Sequence, residues 1–141
     1  MSLTLNIAND MITAAQEKGR ELGLKPLTIA VLDAGGYLKA LAREDGTSNL
    51  RADIAQGKAR GAVSMGIGSR ALYERAQEQP YFIQSMNTLS NGSLVPVPGG
   101  VLVRDGNTII GAVGITGDSS DNDETCAIHA IKAAGFVADA G

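Results

Sequence analysis

Cys126 and His129 are the single cysteine and the single histidine of this 141-residue sequence, and they lie three positions apart. On a helix, that spacing places both side chains on part of one face, where they could bind one metal ion. Because a structural zinc site needs four ligands, a second subunit would have to supply the others. The alternative, which we favour, is that Cys126 is a small buried apolar residue and His129 lies at the edge of an apolar stripe.

Two lysines occur on predicted helices at positions that face inward. Lys18 follows Ile7 by eleven residues, which is about 20° around a helix, so it shares the apolar face of Ile7. We expect its ammonium group to extend along the rim to water, although a polar pocket would also accept it. Lys58 follows Ile54 by four residues and is flanked by small residues. If Lys58 projects over them into a cavity, it could bind an anionic ligand.

Two loops could supply further contacts to an anion. Arg43 and Asp45 belong to a charged turn, for which simple solvation is the other interpretation. Gly99 and Gly100 precede an apolar run, and their backbone N–H groups could face an anion. A tight entry of the chain into the next strand is the other reason for two glycines here. The predicted ligand-binding residues are therefore Lys18, Arg43, Asp45, Lys58, Gly99 and Gly100, and no catalytic residue is identified.

Composition excludes several classes of partner. The net charge of -3 and the pI near 5.0, with both signs scattered along the chain, give no field that would attract nucleic acid. The uncharged stretch over residues 84–103 contains asparagine, serine and proline, and it is unsuited to a bilayer. One cysteine permits no intramolecular disulfide, and the first residues do not resemble a signal peptide, so we expect a cytoplasmic protein. The length predicts one domain over residues 1–141.

Hydrophobic periodicity predicts the elements that must position these residues. Apolar residues at helical spacing indicate helices, and β-rich runs on either side of glycine-containing turns indicate hairpins. Asp105-Gly106 is the strongest of these turns. The order of elements predicts the α+β class, with helices packed against an antiparallel sheet. The predicted helices are 3–22, 50–65, one from 69 towards 80, and 122–138; the predicted strands are 27–32, 37–43, 101–104 and 108–116, with 84–100 irregular.

The ends of these helices are predicted from capping residues. Ser2 or Thr4 could cap the first helix, and Gly23 could end it. Ser69 is a candidate cap for the third helix. Asp121-x-x-Glu124 resembles a capping box for the last helix, with aspartate in place of serine.

Taken together, these segments are similar to the GlcG/HbpS family, which includes haem-binding proteins and the carboxy-terminal domain of some propanediol-utilisation cobalamin adenosyltransferases. The matching features extend through nearly the whole chain, and their order and spacing make the resemblance specific. They are Ala30–Gly36, the turn Arg43–Gly46, Ile54-Ala55 with Lys58-Ala59, Pro98–Gly100, and Gly111–Gly117 followed by Asp121–Glu124 and an alanine-rich helix.

The resemblance implies a profilin-like fold, in which a five-stranded antiparallel sheet is packed with helices. It also implies a homo-oligomer, a dimer-based tetramer or octamer, with any ligand pocket near a subunit interface. Some haem-binding relatives use a histidine of the first helix as the axial ligand, whereas residues 2–23 contain no histidine. In this chain Cys126, His129, a tyrosine or a deprotonated lysine would have to coordinate the iron.

Three functions follow from the resemblance. The first is a small-ligand-binding homo-oligomer that binds haem or another tetrapyrrole. The second is an enzyme or accessory protein acting on a small hydroxylated or carboxylated metabolite in glycolate, glycerol or diol utilisation, with Arg43, Lys58 and Gly99-Gly100 as anion contacts. The third is a noncatalytic oligomeric partner of a diol or glycerol dehydratase system. Because a fold constrains activity weakly, we favour ligand binding and leave catalysis open.

Overall fold

The computed structural model describes residues 2–141. Within that range the chain forms five helices and five strands, with β1-β2 and β3-β4 consecutive in sequence and α2, α3 and α4 between these two pairs. Their bounds are α1 Leu5–Glu21, β1 Thr28–Asp33, β2 Leu38–Arg43, α2 Leu50–Met65, α3 Ser69–Glu78, α4 Pro80–Leu89, β3 Gly100–Asp105, β4 Thr108–Thr116, α5 Ser120–Ala133 and β5 Val137–Asp139.

The strands form one antiparallel sheet in the order β2-β1-β4-β3-β5. Two local hairpins, β1-β2 and β3-β4, are joined at the centre of the sheet by pairing of β1 with β4. The predicted α+β class with a profilin-like five-stranded antiparallel sheet is confirmed. β4 lies between two strands and is almost wholly buried, as its continuous apolar sequence predicts.

Helices cover both faces of the sheet. α1 and α5 pack on one face and share the main hydrophobic cluster with inward-facing side chains such as Val31, Val113 and Ile115. α2 packs on the other face, where Ala59 and Ala62 contact a second cluster. α3 and α4 form a helical pair beside α2 with a small cluster of their own. None of the helices within residues 2–141 has the length and apolar character needed to cross a bilayer.

Two glycines in the sheet allow α2 to approach it closely. Gly100 of β3 and Gly114 of β4 are direct partners in the strand ladder. A Cβ atom at Gly100 would overlap the carbonyl oxygen of Lys58, and one at Gly114 would overlap that of Ala55. The backbone of α2 therefore lies against the sheet at a distance that no larger residue would permit.

Local sequence signals predicted some helix ends correctly. Thr4 caps α1, since its hydroxyl accepts a hydrogen bond of 3.2 Å from the backbone N–H of Ile7. Gly23 follows the end of α1 with a φ of +68°, a conformation that favours glycine. α2 has the predicted bounds.

Two predicted caps are wrong. Ser119, not Asp121, caps α5, and its hydroxyl accepts from the N–H of Asn122 at 3.1 Å. Gly68 occupies the N-cap position of α3, while the hydroxyl of Ser69 accepts from the N–H of Gly100 at 2.7 Å. In the second case a contact across the fold uses the oxygen that would otherwise cap the helix.

Two predicted elements also need correction. The stretch 84–100 was expected to be irregular, but residues 84–89 belong to α4, which begins with a proline at its first position. The last helix ends at Ala133 rather than Ala138. Gly135, with a φ of +87°, turns the chain, and Val137–Asp139 then adds to the sheet beside β3 as the short strand β5.

The approach of α2 to the sheet gives a first prediction. Gly114→Ala should lower the free energy of unfolding by about 3 kcal/mol, because the added methyl group meets backbone of α2 that cannot move aside. Gly23→Ala is the control: it has open space but a positive φ, so it should cost about 1 kcal/mol. Urea denaturation followed by circular dichroism measures both. Equal losses for the two variants would contradict this account.

Candidate functional site

Lys58 and Asp123 form a buried ion pair at one end of the sheet. The side chains are 2% and 1% exposed, and Nζ of Lys58 lies 3.2 Å from Oδ2 of Asp123. The same ammonium group donates to the carbonyl oxygen of Ile115 at 2.9 Å. Lys58, for which the sequence left open a projection into a cavity, therefore projects into the interior, where its charge is neutralised by an acid.

This ion pair joins the two layers of helices. Lys58 belongs to α2 on one face, whereas Asp123 belongs to α5 on the other. The lysine passes the end of the sheet beside Gly99, where a Cβ atom would lie 2.9 Å from Nζ. The N–H of Ile115 donates to the carbonyl oxygen of Gly99 at 2.9 Å, and this bond fixes the backbone of Gly99 beside the lysine. A Cβ atom at Gly99 would also lie 2.7 Å from the backbone oxygen of Ile115, and the φ of +122° itself favours glycine.

The second oxygen of Asp123 is also bonded. Oδ1 accepts from the backbone N–H of Asp118 at 3.0 Å, at the turn that precedes α5. Burial raises the pKa of Asp123, and the charge of Lys58 opposes that rise. Burial lowers the pKa of Lys58, and the charge of Asp123 opposes that fall. Each ionised group therefore depends on the other to remain charged away from water.

Other buried polar side chains lie around the same end of the sheet. Thr28 and Thr116 are opposite each other on β1 and β4. The guanidinium of Arg51 donates to the hydroxyl of Thr116 at 2.8 Å. Ser69 bonds to Gly100, as described above. Because every member of this group has a hydrogen-bond partner, its geometry is that of a structural polar network.

Of the predicted loop residues, Gly99 and Gly100 lie beside Lys58, whereas Arg43 and Asp45 lie apart from it. The N–H of Gly100 already donates to Ser69. The guanidinium of Arg43 donates to the carbonyl of Thr47 at 2.7 Å, and Asp45 is exposed. Arg43 and Asp45 line an open cavity of about 460 Å³ between the end of α1 and the turn after β2. Their role in ligand binding stays a prediction, but they do not converge with buried Lys58.

Lys18 behaves as the favoured interpretation expected. Its ammonium group lies 3.2 Å from Glu21 of the same helix, at the rim of the α1–α5 layer. Its side chain is partly exposed rather than enclosed in a pocket. The contact is a pair three residues apart on a helix surface, which contributes little to stability.

Cys126 and His129 lie in different environments on α5. Cys126 is fully buried in the main cluster, and burial raises the pKa of its thiol to about 11. His129 is exposed on the same helix. Within residues 2–141, no three histidine, cysteine, aspartate or glutamate side chains are grouped as metal ligands. A protonated, enclosed thiol is a poor metal ligand, because the thiolate is the form that binds.

A cavity of about 710 Å³ opens at the other end of the sheet, beside the turn between β1 and β2. Apolar side chains, including Leu3 and Ile110, form part of its lining. Tyr37 and Lys39 also line it. Neither residue was among the predicted ligand-binding residues, although their alternate positions after the Asp33–Gly36 turn are typical of side chains on one side of a strand.

The sequence matches the family model described as haem degrading protein HbpS-like over residues 3–132. The fold is similar to the crystal structure of a PduOC:heme complex, with a TM-score of 0.86 at 25% identity, covering 96% of this chain and 97% of that chain. It is similar to the Klebsiella pneumoniae protein ORFY, with a TM-score of 0.85 at 26% identity and coverages of 94% and 90%. It is also similar to a double mutant of HbpS from Streptomyces reticuli, with a TM-score of 0.81 at 25% identity, covering 94% of this chain and 87% of that chain. No curated protein matches the sequence significantly.

The buried ion pair gives a second prediction. Lys58→Met should lower the free energy of unfolding by about 3 kcal/mol near neutral pH, because it leaves the carboxylate of Asp123 buried without its cation. The folded-state pKa of Asp123 then stays above its unfolded value, so the folded state binds the proton more tightly. The stability of the variant should therefore be greatest in acid and fall as the pH rises from about 4 to 7.

The double variant Lys58→Met/Asp123→Asn is the matched control, since it removes both charges. It should lose this pH dependence relative to Lys58→Met and recover part of the stability. Urea titrations at several pH values measure both effects. A Lys58→Met variant whose stability follows that of the wild type at every pH would show that the pair does not hold the layers together.

Proposed function

Because the chain belongs to the HbpS-like family of haem degrading proteins, we propose that it binds haem or a closely related tetrapyrrole. The likeness to a solved haem complex over nearly the full length of both chains supports this proposal. When bound, haem would supply an iron centre, and the protein would supply its position and axial ligand.

The cavity beside the β1–β2 turn is the best candidate for the haem site. Its volume of about 710 Å³ is in the range of small-molecule and cofactor sites, which is roughly 300–1,000 Å³. Ile109 offers partly exposed apolar surface to a porphyrin, with buried Leu3 and Ile110 behind it, and Lys39 offers a cation to a propionate. This combination of size, apolar lining and one free cation is the observation that carries the proposal.

Tyr37 is the best candidate for the axial ligand. Cys126 is enclosed in the core as a thiol, and the ammonium of Lys58 is held by Asp123. His129 lies exposed on α5 and does not line this cavity. Tyr37 lines the cavity and is 69% exposed, so its oxygen is free to approach an iron. Tyrosinate is an established axial ligand of haem iron.

Haemin titration tests the proposal. The wild-type protein should shift the Soret band and saturate at one haem per chain, with a phenolate-to-iron charge-transfer band. Tyr37→Phe should lose that band and bind haemin at least ~tenfold more weakly, which corresponds to about 1.4 kcal/mol. Tyr81→Phe is the matched control, because Tyr81 is similarly exposed, at 66%, but does not line the cavity. Absence of any Soret shift in the wild type would end the haem proposal.

We also propose that the protein is a homo-oligomer, a dimer-based tetramer or octamer, in the cytoplasm. The edge strand β2 supports this, because it has a free side and is flanked by exposed Tyr37 and Leu38. A single free, buried cysteine is consistent with a reducing compartment. Light scattering should give a multiple of the 14.5 kDa chain mass, and a mass of one chain at micromolar concentration would contradict the oligomer.

A further inference from the structure

Arg60 differs from the other six arginines of the chain. Among residues 2–141, each of the other six has a hydrogen bond or an ion pair through its guanidinium, whereas that of Arg60 has neither. Arg60 lies on the exposed side of α2 and lines two adjoining cavities, of about 450 and 380 Å³. A guanidinium with five free donors beside a cavity is suited to bind an anion.

The larger of these cavities is a polar cleft between α2, the β1–β2 turn and the loop at Asn91–Ser93. Asp53, Gln56 and Arg60 line it from positions three and four residues apart, which is one face of the helix. In the part of the chain that the structure describes, the carboxylate of Asp53 also has no partner. The cleft therefore presents an unpaired acceptor and an unpaired cation about two helical turns apart.

Gly36 of the β1–β2 turn lies beside the side chain of Arg60. Its φ is +81°, and a Cβ atom there would lie 3.9 Å from Cγ and 4.0 Å from Nε of Arg60. The guanidinium thus extends over the β1–β2 turn, and helical side chains lean towards the helix N-terminus. Asp53 and Arg60 both lie on the side of α2 that faces the cleft.

We propose that this cleft is a second ligand site, which binds a small hydroxycarboxylate. The carboxylate of the ligand bonds to Arg60, and its hydroxyl group donates to Asp53. Because one cation and one acid face the cleft, a monoanion with a donor group is balanced there, whereas a phosphate dianion would meet the negative charge of Asp53. Gln56 and Ser93 line the cleft as well, and since Nε2 of Gln56 donates to Ala52 and the hydroxyl of Ser93 donates to Ser90, their oxygens are left as acceptors.

Binding of glycerate, acetate and glycerol to the wild-type protein tests the proposal. Glycerate has both the carboxylate and the hydroxyl groups, whereas each of the other two has only one kind. Isothermal titration should show glycerate binding at least ~tenfold more tightly than acetate or glycerol. No glycerate binding at ten-millimolar concentration would overturn the site, and equal binding of acetate would overturn the role of Asp53.

Single substitutions test whether glycerate binds in this cleft. Arg60→Gln should weaken glycerate binding by at least ~tenfold, and Asp53→Asn should reduce the preference for glycerate over acetate. Lys132→Gln is the matched control, because Lys132 is an exposed, unpartnered cation on α5 and should leave binding unchanged. If Arg60→Gln and Lys132→Gln bind glycerate as the wild type does, the cleft is not the site.

The haem site and the second ligand site can be tested independently of each other. Lys39 lines the cavity proposed for haem but not the polar cleft. Lys39→Gln should therefore weaken haemin binding and leave glycerate binding unchanged, while Arg60→Gln should do the reverse. If both variants weakened both ligands equally, the two sites would not be distinct and the second site would be rejected.

Discussion

The ion pair between Lys58 and Asp123 sets the positions of the helices on both faces of the sheet. An ionised pair away from water is stable only while both charges and their hydrogen bonds are in place. α2 and α5 must therefore stay in register with each other, although a sheet separates them. The small residues along β3 and β4 follow from the same requirement, since α2 must lie close enough for its lysine to pass the end of the sheet.

Much of the fold could be predicted because its signals are local. The bounds of α2 follow from one apolar stripe, and the β3–β4 hairpin follows from Asp105-Gly106 between two β-rich runs. α4 and β5 were missed for different reasons. In α4, Phe82, Ile83 and Met86 pack in one cluster, but the serine and asparagine residues around them obscure this helical spacing. A strand of three residues has no periodicity to detect. Only its pairing with β3 defines β5.

The candidate site was harder to predict, because its partners are distant in sequence. The sequence correctly marks Lys58 as an unusual cation among small residues of a helix. Nothing near it in the sequence, however, indicates that its partner is an acid on α5. Asp123 itself looked like part of an ordinary helix N-terminus. Conversely, Tyr37 and Arg60 are unremarkable in sequence and gain interest only because the fold places cavities beside them. Tyr37 lines both cavities, so any movement of its ring changes the walls of both.

The central pairing of β1 with β4 also determines how the chain must fold. The β1–β2 hairpin can form early, but the other side of β1 receives its partner only after nearly all of the chain has been made. Until then Thr28–Asp33, which contains four consecutive apolar residues, presents an unpaired strand edge. Closing so long a loop is slow compared with forming either hairpin. The nascent protein is therefore most prone to aggregate through β1, although β1 is deeply buried once folding is complete.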